Sequence, residues 1–295
     1  QALRPLPALD GGQLPGPEDR RYARTQTQLS ANMTSCGVTS PGNQVEAWTI
    51  LRCLVGSTIH GLNVPGSDDR DEVAICLPPP ERVIGLDVFE HLITRSQPEG
   101  IRSGPGDLDL VTYSARKFCR LALNGNPSIL LVFYSPTILF SNPLGRSLRE
   151  LAPAIASRRS IRAFLGYLRA QRERLLGERG QLRVTRLDLV GKHGYDTKYA
   201  MHMLRLGYQG VEYGMGRGLT FPMTGEALEV CRAVRAGDWT KEAVLSHAKM
   251  IEGLLEAVLA DSPLPEDPNH ELVNHWLVRA HLDFWSGSLV NMCTA

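Results

Sequence analysis

Two short apolar runs, residues 51–55 (Leu-Arg-Cys-Leu-Val) and 72–77 (Glu-Val-Ala-Ile-Cys-Leu), flank a polar stretch rich in glycine and aspartate. Gly56 follows the first run and three consecutive prolines, 78–80, follow the second, so both are predicted as strands. A third strand is predicted where Asp107, Asp109, Val111 and Tyr113 alternate with Leu108, Leu110 and Thr112. Ser114 is placed to cap a helix over 115–123 that stops at Asn124-Gly125, and Asn126-Pro127 caps and opens another over 128–133. Residues 78–106 read as irregular, with Val83-Ile84 and Phe89-Glu90 as short strand pieces.

Past about residue 144 the apolar period changes from two to that of helices. Ile161, Phe164, Leu165, Leu168 and Leu175 line one face of a helix predicted over 158–179, with arginines on the others. Further helices are predicted over 196–206, 224–236, 240–259 and 271–286. Residues 1–42, rich in Pro, Gly, Ser and Thr without sustained periodicity, predict an extended arm. The expectation is an α+β protein: an arm over 1–42, a strand-containing core over 43–143 and a helical domain over 144–295.

Composition adds limits. A chain of 295 residues can bury a sizeable core. Its net charge of +1 argues against a protein whose global field draws in nucleic acid. The arginines at 158, 159, 162, 169, 172 and 174 could follow a nucleic-acid backbone or form a solvated helix face. No apolar run approaches the roughly 18 residues that span a bilayer, and no signal-peptide pattern opens the chain. Gln1 in place of Met reads as a trimmed or incomplete start. Six scattered cysteines without a Cys-x-x-Cys pair predict buried reduced thiols in a cytoplasmic protein with no membrane partner. His247, His270, His275 and His281 lack metal-ligand spacing and read as structural.

Candidate chemistry concentrates at residues 56–71. Glycines let backbone approach a bound group closely, and Ser57 adds a hydroxyl and an amide donor. Asp69 and Asp71, two apart on a strand, point to one face. A divalent metal beside a phosphate cradle needs such carboxylates. In phosphoryl and nucleotidyl transfer, two magnesium ions roughly 3.5–4 Å apart serve the attacking and leaving oxygens.

Val55-Gly56-Ser57, then Asp69-Arg70-Asp71 after eleven intervening residues, resembles the signature of the DNA polymerase β nucleotidyltransferase superfamily. Leu108-Asp109-Leu110 resembles its third-carboxylate triplet. The longer string from Gly56 to Glu72, Gly125-Asn126-Pro127 and residues 192–205 are similar to a bacterial and phage branch of predicted nucleotidyltransferases. The resemblance covers roughly residues 50 to 240. It implies a small mixed-sheet core with flanking helices, a nucleoside triphosphate as substrate and Mg2+, or Mn2+, as cofactor. Asp69, Asp71 and Asp109 would be catalytic metal ligands, and Gly56 and Ser57 would bind the triphosphate. It also suggests RNA as the acceptor. Two registers stay open: Asp68 in place of Asp69 as first ligand, and Asp107, which shares a face with Asp109, as third. Asp69/Asp71 and Asp109 are preferred.

A helix beginning near Asp196 or Thr197 places Lys198, His202 and Arg205 on one stripe. Facing a cleft, that stripe would bind phosphates, with Lys192 and His193 just upstream; facing solvent, it is a basic surface. Arg70 reads as a structural ion-pair partner, Asn126 as a helix cap first, and His60 as either a substrate contact or a shaper of its loop. The leading expectation is a metal-dependent nucleotidyltransferase that moves a nucleoside monophosphate to a hydroxyl acceptor and releases pyrophosphate. Alternatives are a nucleotide sensor or antitoxin-like binder, and an enzyme that AMPylates protein.

Overall fold

Five strands form one mixed sheet in the order β3-β4-β2-β1-β5. They are β1 (Thr49–Leu54), β2 (Arg70–Cys76), β3 (His91–Arg95), β4 (Leu108–Ser114) and β5 (Ile138–Ser141). The computed structural model describes residues 41–293 apart from 65, 67, 99–100, 102 and 178–185. β2 and β4 pair in parallel at the centre, while β1 runs antiparallel to both β2 and β5, and β3 antiparallel to β4. The two apolar runs and the one alternating stretch of the sequence located the three inner strands to within two residues. Both edge strands escaped it. β5 has only four residues and is half exposed, so burial imposes no clear alternation. β3 begins just after the Phe89-Glu90 piece, while Val83-Ile84 belongs to the turn that follows the 3-10 segment Pro80–Arg82.

Helices cover the rest. Described by itself, α1 (Pro41–Ala47) belongs to a unit that ends at Ala47. Within the second unit, Trp48–Ala295, come α2 (Gly56–His60), α3 (Ala115–Leu123), α4 (Pro127–Tyr134), α5 (Pro143–Arg149) and α6 (Ala152–Ile155). The helical half then runs α7 (Arg158–Leu176), α8 (Leu187–His193), α9 (Thr197–Gly214), α10 (Gly225–Ala236), α11 (Lys241–Asp261) and α12 (His270–Cys293). Cap residues do what their chemistry allows: Ser114, Asn126 and Asp196 each accept backbone N–H bonds at the start of α3, α4 and α9. One hydrophobic cluster joins Leu51, Ile75, Phe118 and Leu130 to Phe164, Tyr213 and Leu255, so packing is continuous across position 143. Cys53, Cys76, Cys119 and Cys231 are buried free thiols.

Arg158, Arg159, Arg162, Arg169 and Arg172 of α7 are engaged within the fold. Arg159 pairs with Asp267, Arg162 with Glu266, Arg169 with Glu252 and Glu256, and Arg172 with Glu252. Arg158 donates to the Ser262 carbonyl. These contacts tie α7 to α11 and to the segment before α12, which leaves little of that face to follow a nucleic-acid backbone.

α9 is the central helix of this half, packed by α7, α10 and α11. Gly207, Gly210 and Gly214 give it a smooth side. A Cβ at Gly210 would stand 2.8 Å from Phe164 Cβ and 3.1 Å from both Leu255 methyls, and one at Gly214 would stand 2.4 Å from Val258 Cγ1. Gly253, on exposed α11 surface, would meet nothing within 4 Å. The same substitution is therefore expected to act in opposite directions. Gly253→Ala should stabilise by up to about 1 kcal/mol through helix propensity. Gly210→Ala should lose a net ~1–2 kcal/mol because overpacking outweighs the same gain. Urea unfolding of the two variants checks this; equal shifts of the same sign would contradict the packing.

Candidate active site

The parallel pairing of β2 with β4 sets Asp71 directly opposite Asp109. Side chains alternate along a strand, so Asp71 points to one face of the sheet and Glu72 to the other. Glu72 is 2% exposed and holds Arg52 and Arg70, each at 2.5 Å. Arg70 is thus an ion-pair partner on the face away from the carboxylates. Asp69, just before β2, completes a cluster in which Asp69, Asp71 and Asp109 each offer an oxygen within 4.8 Å of the others. Burial pushes the Asp71 carboxyl up to about 6, and the nearby Asp69 and Asp109 charges add to the effect.

Gly56 is required where it stands. Its φ is +69°, and a Cβ there would lie 1.9 Å from Asp71 Oδ2. The Val55 amide donates to the Asp71 carbonyl at 3.0 Å, so the turn and the strand are held together by backbone as well. Ser57 follows, half-buried, on α2. On the far side, Asp109 accepts from Ser103 Oγ at 2.8 Å and Gln97 Nε2 at 3.1 Å, and Arg95 lies at 3.4 Å. Asp107 bonds elsewhere, accepting from the Gly104 amide at 2.9 Å and Ser96 Oγ at 3.0 Å. The structure therefore gathers Asp69, Asp71 and Asp109, with Asp107 occupied in its own turn.

A cleft of about 730 Å³ opens beside Asp69. Arg186, Lys192, Lys198, Arg232 and Arg235 line it, with Asp68 and Asp188. Asp68 is the tether of the loop that precedes β2. It takes Lys198 Nζ at 3.2 Å and Arg235 Nη2 at 2.6 Å on one oxygen and the Val64 amide at 2.8 Å on the other. Burial works to raise this carboxyl, but the Val64 amide and the two cations outweigh it and hold it below the usual range. Arg186 pairs with Asp196 at 3.2 Å and lies over the Tyr199 ring. Arg235 Nη1, Arg186 Nε and Thr197 Oγ1 are buried and find no hydrogen-bond partner among the described residues. A cleft walled by cations with unused donors suits an anionic ligand.

The stripe read from the sequence divides. Lys198 and Lys192 line the cleft. Arg205 does not: it is 7% exposed and turned inward, bonded to His60, His202 and Gln209. α9 is enclosed on several sides, so a helical stripe that looks polar in sequence can face protein; this corrects the expectation of one cleft-facing row. His202 donates no charge to the cleft, since burial and then Arg205 hold it well below the usual histidine range. His60, the last residue of α2, is buried and equally held neutral by burial and by Arg205. Arg235 and Arg186 escaped the sequence reading because the cleft they line is tertiary: Arg235 and the Asp68 it bonds are separated by 167 positions.

Residues 42–279 match the RlaP family, described as the RNA repair pathway DNA polymerase beta family. The chain belongs to this family. That places it with the DNA polymerase β type by family, and its mixed sheet with attached helices agrees with that assignment. A segment of 129 residues is 26% identical to an uncharacterized 38.9 kDa protein encoded in the nrdC-mobD intergenic region of Enterobacteria phage T4. That segment is 42% of this chain and spans 37% of the phage protein's length. A nucleotidyltransferase-like protein from Exiguobacterium sibiricum 255-15 aligns over 83% of this chain and 75% of its own, with 12% identity and a TM-score of 0.27. The family match carries the assignment.

The crowding of carboxylates at the RlaP-family site has a measurable cost. A carboxyl whose folded value is raised binds its proton more tightly in the native state, so stability falls as pH rises from about 4 to about 6 and stays reduced above. Asp71→Asn should therefore stabilise the protein in EDTA at pH 7.5 by at most about 3 kcal/mol, and the gain should vanish near pH 3.5. Urea melts at the two pH values test this; a loss of stability at pH 7.5 would contradict it.

Proposed function

We propose that this chain transfers a nucleoside monophosphate from a nucleoside triphosphate to a hydroxyl acceptor, an RNA end foremost, with release of pyrophosphate. One observation carries the reading: three carboxylates converge, and one of them, Asp69, lines a cleft walled by cations. The donor set is all oxygen and formally trianionic, which fits a hard divalent cation such as Mg2+, with Mn2+ as a substitute. Asp69, Asp71 and Asp109 would hold it. A divalent ion there supplies charge neutralisation at the transferring phosphoryl group.

The remaining roles belong to this chain's own groups. Ser57 and the backbone beside Gly56 face the triphosphate. Lys198, Arg235 and Arg186, with Lys192 at the rim, neutralise its oxygens and keep water displaced from them. The acceptor oxygen forms a bond to the α-phosphorus as the bond from that phosphorus to the bridging oxygen breaks. The electron pair leaves with pyrophosphate, and the acceptor proton passes to the Asp109 carboxylate. ATP is the first triphosphate to try. The RNA preference rests on the family's description as an RNA repair pathway group. A cytoplasmic setting suits the four buried reduced thiols, and no helix among the described residues is long and apolar enough to cross a membrane.

The test is transfer of label from each α-labelled triphosphate to RNA, DNA, protein and small-molecule acceptors with Mg2+ or Mn2+. Label should reach RNA ends, disappear with EDTA, and fall by at least about 10³-fold in Asp69→Ala and Asp71→Ala, as expected when charge stabilisation at the reacting centre is lost. Asp109→Asn should be far more damaging than Asp107→Asn. Arg235→Ala should raise the KM for triphosphate by roughly tenfold or more. Label on protein alone would make this an AMPylating enzyme, and nucleotide binding without transfer to any acceptor would make it a sensor.

A further inference from the structure

Arg205 is a buried cation whose surroundings are unusual. The residue is 7% exposed, and among the described residues no carboxylate lies within ion-pair distance. It instead donates through Nη1 to His60 Nε2 at 2.8 Å and Gln209 Oε1 at 2.7 Å, and through Nη2 to His202 Nδ1 at 2.8 Å. Burial lowers Arg205 only to about 10, so it stays charged at neutral pH. Burying a charge without a counter-ion is costly, and an apolar side chain would fill the same space at less expense. Packing alone does not account for the residue.

Its principal contact leads to the reaction centre. His60 ends α2, the five-residue helix that opens with Gly56 and Ser57. At its near end this turn abuts Asp71, so closely that no Cβ fits at Gly56. At its far end the helical half grips it four times. Arg205 holds one nitrogen of the His60 ring, Gln209 Nε2 lies 3.2 Å from the other, the Met223 amide donates to the His60 carbonyl at 3.2 Å, and Arg232 donates to the Gly61 carbonyl at 2.9 Å. The two ring contacts are one side-chain network, because Arg205 also donates to Gln209, and a forked, multi-donor cation suits reaching His60, Gln209 and His202 together.

We propose that Arg205 is a positioning residue that acts through His60 to fix the Gly56–His60 turn against Asp71, so that α9 sets the place of the triphosphate relative to the carboxylates. This rests on the nucleotidyl-transfer reading for its kinetic consequence but not for its structural one. A shift of about 1 Å in the turn would cost on the order of a hundredfold in rate.

The experiment is a double-mutant cycle in the full chain, read by kcat/KM for the triphosphate. His60→Ala and Arg205→Ala are each expected to lose roughly tenfold to a hundredfold, and the double variant to be no worse than the worse single one. Losses that multiply would overturn the proposal. His60→Gln, which keeps an acceptor, should recover most of the activity. His60→Phe, which keeps the ring packing on Phe221 at 5.2 Å, should not. Equal activity of these two would also overturn it. Hydrogen exchange provides the arm independent of chemistry. In Arg205→Lys the amides of residues 56–61 should lose protection while those of β2, β4 and α9 keep theirs. Unchanged protection at 56–61 overturns the proposal whatever the activity. If the parent protein transfers no label at all, the nucleotidyl-transfer reading fails and the exchange result still decides this one.

Discussion

The site exists because β2 and β4 run parallel and in a register that makes Asp71 and Asp109 neighbours. A slip of one residue in either strand would exchange the face of its carboxylate and put Glu72, with its two arginines, where Asp71 now stands. That register is held from both sides. Buried Val73 and Ile75, on the Asp71 face, fix β2 in the core, and the Arg52–Glu72–Arg70 pairing fills the opposite face. Strand pairing thereby buries Asp71 among charges that repel it, and its carboxyl is raised first by burial and then by Asp69 and Asp109. Surplus negative charge at the cluster and surplus positive charge in the adjoining cleft are two halves of one electrostatic arrangement.

The central strands, the capped helices α3, α4 and α9 and all three clustered aspartates were legible in the sequence, because each leaves a local trace. Alternation marks a half-buried strand, Ser, Asn and Asp mark helix starts, and two aspartates two apart on a strand must share a face. What escaped was tertiary. The edge strands are short and half exposed, so burial leaves no pattern in them. Arg235 and Arg186 look like ordinary helix and loop arginines until the fold carries Arg235 to the loop before β2 and sets both on the wall of the cleft. Arg205 was misplaced for the same reason: periodicity tells which residues share a helix face, not whether that face meets a cleft or a neighbour. The α7 arginines show the reverse case, a basic stretch that resembles a nucleic-acid surface but is engaged by Glu252, Glu256, Glu266 and Asp267.

The sheet and the helical half are bound into one working unit by few polar contacts and much apolar packing. Asp68 connects the loop before β2 to both α9 and α10, and His60 connects α2 to α9. The apolar cluster supplies cohesion, while these polar contacts supply aim. Cohesion tolerates conservative exchange of one apolar residue for another, whereas the polar links depend on the reach and shape of particular groups.

Four buried cysteines give the molecule an internal clock. Burial pushes each thiol up to about 12, so a thiolate hardly exists at neutral pH while the structure is closed. An alkylating reagent can reach them only through opening of the surrounding structure. Cys53 and Cys76 lie in the sheet, Cys119 on α3 and Cys231 on α10, which makes them separate witnesses to separate regions. Whether the sheet and the helices breathe together or in turn is thus written in the order in which these sulfurs become reactive.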